Sequence, residues 1–121
     1  MKLTKVKIFG TEYNIKYVDK INDIVKETDK IKLRTEVLGL CYPRYMFWEQ
    51  GKIIVKISED ADKTAETVFH EITHTLFNEM IIESRKHRIK LNQLNNDEEF
   101  IQKFSEALRD IIESLKRDKT K

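Results

Sequence analysis

His70-Glu71-Ile72-Thr73-His74 is the stretch that decides how this chain is read. Residues four apart share one face of an α-helix, so both imidazoles can reach a single tetrahedral ion while Glu71, between them in sequence, turns toward a water beside it. Zinc binds neutral imidazole nitrogen readily. A catalytic zinc keeps three protein ligands and an open fourth position, where the pKa of a water falls to roughly 7 and a carboxylate can take its proton. The residue types and spacing therefore outline a hydrolytic zinc site. The competing reading is a helix that carries two incidental histidines.

The helix is visible independently of the motif. Asp60 or Asp62 can cap its start, and Ala65, Val68, Phe69, Ile72 and Leu76 recur at the three- and four-residue spacings of a buried face. His70 and His74 fall off the centre of that stripe, so the rings can point into a cleft while the apolar face packs on a core. Phe77 either lines that cleft or, as aromatics more commonly do, packs in the core.

A third ligand is expected downstream, in Asp97-Glu98-Glu99-Phe100. From there Phe100, Ile101, Phe104, Ala107, Leu108, Ile111, Ile112 and Leu115 trace one side of a second amphipathic helix. Glu98 borders this stripe and is the favoured ligand, whereas Glu99 projects toward solvent. Asp97, after Asn95 and Asn96, suits a backbone cap. His87 is a further alternative, but it stands in the basic run Arg85-Lys86-His87-Arg88, where a histidine is commonly solvated.

With these residues in place, the chain resembles the small zincin metallopeptidases of the ImmA/IrrE type, common in phages and mobile elements, and more distantly the SprT-like group. The resemblance covers roughly positions 37 to 115: a strand pair, Thr67-Val68-Phe69-His70-Glu71-Ile72-Thr73-His74, then a glutamate opening a second helix. In that family the later helix carries a Glu-x-x-Ala-Asn-x-Phe-Ala type pattern whose glutamate is the third zinc ligand. Glu98, Ile101, Gln102, Phe104 and Ser105 stand in the corresponding places. Gln102 replaces the family's asparagine and is longer, yet it still carries an amide able to hydrogen-bond a ligating histidine. The Gly-x-x-His extension of metzincins is missing, its places being held by Phe77 and Met80. The resemblance implies Zn2+ held by His70, His74 and Glu98, with Glu71 as the catalytic base. It also implies an extended peptide substrate laid along an edge strand, for which Ile53 to Ile57 is the candidate.

The rest of the chain reads as one small domain over 1–121, with 116–121 as a frayed tail. Val6 and Ile8, then Tyr13, Ile15 and Tyr17, alternate about a turn at Gly10-Thr11, and Tyr45 to Trp48 pairs with Lys52 to Ile57 around Glu49-Gln50-Gly51. Between these hairpins Ile21, Ile24, Val25 and Thr28 suggest a helix capped by Asp19. The order gives an α+β domain, an antiparallel or mixed sheet packed against the motif helix and a C-terminal helix.

No apolar run reaches membrane-spanning length and no signal-peptide core follows Met1. Cys41 is the single cysteine, so no intrachain disulfide forms and a reducing cytoplasm suits the chain. Its segment Gly39 to Pro43 reads as a turn entering a strand. A net charge of +2 with 36% charged residues describes a mixed, solvated surface rather than a strong basic field. The cluster Arg85 to Lys90 offers weak support for nucleic acid. Tyr42, Arg44, Tyr45 and His87 are candidate electrophilic helpers, none of them assigned.

Three functions from different classes follow. The foremost is a cytoplasmic zinc metallopeptidase acting on a protein such as a transcriptional regulator. The second is a zinc-containing regulatory or defence interaction protein without turnover, against which the retained Glu71 argues, since a structural site needs no base. The third is a SprT-like DNA-associated protease, recognisable by strongly salt-dependent DNA affinity.

Overall fold

Tyr13 and Ile15 alternate with Glu12, Asn14 and Lys16, and this period of two lays one side of a strand on a core and leaves the other in water. The computed structural model describes residues 3–19, 39–42 and 52–119. In it β1 (Lys5–Ile8) and β2 (Thr11–Val18) pair antiparallel, with Ile8 opposite Thr11. The connection is Phe9-Gly10, one residue earlier than the expected turn, and both residues take positive φ, 49° and 80°. That is the signature of a two-residue turn that matches the twist of the flanking strands. Glycine adopts it freely, whereas a phenylalanine there is strained.

The strand β4 (Lys52–Lys56) lies parallel to β2 and antiparallel to β3 (Gly39–Tyr42), giving the order β1-β2-β4-β3. Ile53, Ile54 and Val55 are all buried, as in a strand covered on both faces. Two expectations are corrected here. The antiparallel partner of β4 is Gly39–Tyr42, which includes Cys41. The expected strand at Tyr45 to Trp48 lies outside the described residues, as does the expected helix around Ile21 to Thr28. Ile53 to Ile57 is also no edge, because β4 is hydrogen-bonded on both sides; among the described residues the edges are β1 and β3.

The helix α1 (Ala61–Glu83) starts at Asp60, whose side chain accepts from the Asp62 backbone N–H at 2.9 Å. One turn later Thr64 Oγ1 accepts from the Ser58 N–H at 2.8 Å, tying the end of the strand connection to the first turn. Val68, Phe69 and Ile72 meet Tyr13, Ile15, Ile53 and Val55 of the sheet in one core. A second core joins Phe77 to Leu91 and Ile101, flanked by Phe100 and Phe104. Phe77 is thus a core aromatic, with edge-on ring contacts to Phe100 and Phe104 at 5.8 and 5.5 Å.

After α1 the basic run forms a short 3-10 turn, Arg85–His87, and continues into α2 (Arg88–Asn95). It is helical rather than a loop, though Arg85 to Lys90 remain exposed. The last helix, α3 (Glu98–Lys119), runs antiparallel to α1 and stays helical where fraying from 116 was expected. Its apolar stripe is buried at Ile101 but not throughout. Beyond it Leu108 and Ile112 are partly buried against the first core, while Ile111 and Leu115 are 58% and 59% exposed. Among the described residues the strands precede the helices and the helices pack on a mixed sheet, so the domain is α+β. No helix among the described residues is long and apolar enough to cross a membrane.

Candidate metal centre

His70 and His74 stand one turn apart in the middle of α1, their ring centroids 4.9 Å apart and their planes inclined at 69°. The chain returns to them at the start of α3. Asp97 caps that helix, its carboxylate accepting from the Phe100 N–H at 3.1 Å, and Glu98 follows in the first turn. The Phe77–Phe100–Phe104 packing fixes the two helices against each other, so Glu98 is delivered to the histidine pair by the second core rather than by a loop.

The Glu98 carboxylate spans the pair. One oxygen lies 3.0 Å from His70 Nε2 and the other 3.2 Å from His74 Nε2. Among the described residues, His70, His74 and Glu98 are a group of three whose ligand atoms all lie within 4.8 Å of one another. Donors bound tetrahedrally at zinc distances stand roughly 3.3 Å apart, so the two carboxylate–imidazole separations are near those an ion would require. The rings are half-buried and the Glu98 side chain is 66% exposed, which leaves the cluster open to solvent on one side.

Hydrogen bonds behind the rings fix which nitrogen faces Glu98. Gln102 donates both amide hydrogens to carboxylates, to Glu66 at 3.0 Å and Glu106 at 3.2 Å. Its oxygen therefore faces His70 Nδ1, 3.1 Å away, and accepts the ring proton. Asn95 donates to the Asn78 oxygen at 3.1 Å, so its own oxygen faces His74 Nδ1 at 2.7 Å. With both Nδ1 atoms protonated, both neutral rings present bare Nε2 lone pairs to an anionic carboxylate. Three acceptors brought together this way repel unless a cation lies among them, and a metal ion or ring protonation supplies one. The donor set, two imidazoles and a carboxylate, suits zinc.

Glu71 is on the buried side of α1, 8% exposed. Burial pushes its carboxyl above the ordinary range; His74 and His70 pull it down, and the nearby Glu98 charge pushes it up again. A carboxyl made more basic by burial, beside a cluster that could hold a cation, is suited to accept a proton.

The structure thus brings together His70, His74 and Glu98, with Glu71 adjoining. Of the alternatives, Asp97 serves as a cap, and Glu99 and His87 are exposed and stand outside the group. Gln102, expected to meet one of the ligating histidines, meets His70. Arg44 and Tyr45 lie outside the described residues. Sequence reasoning missed Asn95 and Asn78. The signal was present, since Asn78 is four residues past His74 on the same helix face and Asn95 immediately precedes the reversal into α3. Glu79 was also missed: it falls on the stripe of Val68 and Ile72, is fully buried, and accepts a hydrogen bond of 2.7 Å from the buried Tyr13 hydroxyl. A carboxylate at an apolar position of a helix is itself a sign of a specific partner. Compared with protein-family models, characterised proteins and solved structures, the chain matches none.

Proposed function

We propose that this protein is a zinc-dependent metallopeptidase of the ImmA/IrrE-like kind, cytoplasmic and encoded by a phage or mobile element, hydrolysing peptide bonds of an intracellular protein such as a transcriptional regulator. The observation that carries this reading is the convergence of two Nε2 lone pairs and the Glu98 carboxylate, each ring held by an amide oxygen at its other nitrogen. His70, His74 and Glu98 would hold the ion. Zinc there would supply Lewis acidity, polarising the scissile carbonyl and making water a nucleophile near neutral pH. Glu71 takes the proton of the attacking water and returns it to the leaving amine, and the burial that raises its pKa makes it the stronger base for the first transfer.

The test has two parts. Purified protein should carry about one zinc per chain, and the His70→Ala, His74→Ala double variant should lose nearly all of it. Glu71→Gln should keep the metal and the fold while lowering cleavage of the cognate partner by at least about a hundredfold. Full zinc occupancy in the double variant removes the site. A partner that is bound and never cut, with the biological effect intact in Glu71→Gln, makes the protein a binding module instead.

A further inference from the structure

We infer that Asn95 is a positioning residue for His74: its side-chain oxygen holds the Nδ1 proton, and Nε2 is thereby kept as a bare lone pair aimed at Glu98. The contact is the shorter of the two behind the rings, 2.7 Å against 3.1 Å for Gln102 on His70. The amide cannot serve the ring equally well either way round, because its nitrogen is engaged with Asn78 at 3.1 Å. Asn78 is 8% exposed and lies one turn beyond His74 on α1, so the clamp closes on the helix that carries the ring it holds.

The local fold explains why the residue comes from here. Asn95 is the last residue of α2, a helix of eight residues with a single buried side chain, Leu91, which enters the Phe77 and Ile101 cluster. The Asn96 N–H closes the helix on the Asn92 carbonyl at 3.1 Å before the chain turns into α3. Leu91 anchors α2 to the second core, and its end places one amide behind His74. An acceptor is required at that point. An aspartate would accept the same ring proton while losing the donation to Asn78, whereas leucine would fill the space and accept nothing. The metal side of this inference rests on the zinc reading above; the tautomer does not.

Two-bond proton–nitrogen NMR of the full chain without metal, in a buffer alkaline enough to keep free imidazole neutral, reads the tautomer of each ring. Competition with a chromogenic chelator reads zinc affinity. Wild-type protein should show His74 as the Nδ1–H form. Asn95→Leu should bring in the Nε2–H form at His74, leave His70 unchanged and weaken zinc by about 10- to 100-fold, the usual scale for removing a partner of a ligating histidine. Asn95→Asp, which keeps the acceptor, should restore Nδ1–H and most of the affinity. The inference is overturned if Asn95→Leu leaves the His74 tautomer or the zinc affinity unchanged, if it disturbs His70 equally, or if Asn95→Asp is no better than Asn95→Leu. A wild-type chain that takes up no zinc defeats the metallopeptidase reading, while the ring tautomer still decides the role of Asn95.

Discussion

Towards its start, α3 is held by Ile101 and Ser105, both buried, and by Phe100 and Phe104 on the Phe77 ring; towards its end it is held by Leu108 and Ile112, only partly buried against the first core, and by Arg109, bridging Asp62 and Glu113 at 2.5 and 2.9 Å. The same amphipathic pattern runs through both halves. Packing differs because the two helices run antiparallel and α1 begins near the level of Arg109. A polar group that loses its partner in a buried region costs about 1–3 kcal/mol, whereas an exposed ion pair contributes about 0–1 kcal/mol. Rigidity is therefore concentrated at the end that carries His70, His74 and Glu98. The difference teaches that α3 is a buried wedge beside the site and a partly buried cover over the first core beyond it.

The comparison breaks most readily at two isoleucines ten residues apart. Ile101 is fully buried between Phe77 and Leu91, so Ile101→Ala should cost about 2–5 kcal/mol, the range for truncating a packed core residue that leaves a cavity. Ile111 is 58% exposed, and Ile111→Ala should stay within about 0.5 kcal/mol of wild type. Urea unfolding measures both. Equal losses would mean that the far half of α3 is packed as firmly as the near half.

A second contrast sharpens the site end. Glu98 reaches both Nε2 atoms, while its neighbour Glu99 faces solvent outside the group. Glu98→Gln, which keeps the shape and removes the charge, should weaken zinc binding by about a hundredfold or more, and Glu99→Gln should change it by less than about threefold. Zinc affinity by chelator competition separates them. A loss confined to Asp97→Asn or His87→Ala would move the third ligand elsewhere.

Legibility along the chain follows the range of the interactions. The motif helix and its Asp60 cap, the β1–β2 hairpin and the position of Glu98 were all readable, because periodicity and capping are local. The place of β4 was not. Its run of buried residues fits an inner strand, but only pairing with β2, more than thirty residues earlier, makes it one. The exposure of Ile111 and Leu115 was equally hidden, since a helical wheel gives a face and not what lies against it. Gln102 was expected to meet a ligating histidine only because it stands where the resembled family carries asparagine, and that the ring is His70 comes from the structure. Asn95 was missed because its role depends on a short helix inserted between α1 and α3, which no spacing within either long helix reveals.

A small effect is expected at Arg109, and its salt dependence is informative. The guanidinium bonds Asp62 and Glu113, and these carboxylates hold its pKa above the usual arginine value, but both carboxylates are open to water and the guanidinium is partly so, with side-chain exposures of 22% for Arg109, 70% for Asp62 and 48% for Glu113. In water-rich surroundings the Coulomb attraction is weak and is partly offset by the ordering of three long side chains, so Arg109→Ala should cost about 0–1 kcal/mol. What remains should be electrostatic. Raising ionic strength from 0.1 M to 1 M shortens the screening length from about 10 Å to about 3 Å, so most of the difference between variant and wild type should disappear over that range. Zinc affinity should be unaffected at either salt, because the links to the site run through Gln102, Asn95 and the phenylalanine cluster. A loss above about 2 kcal/mol that persists at high salt would mean that Arg109 packs its stem into the helix pair, and the far end would then be a second rigid region.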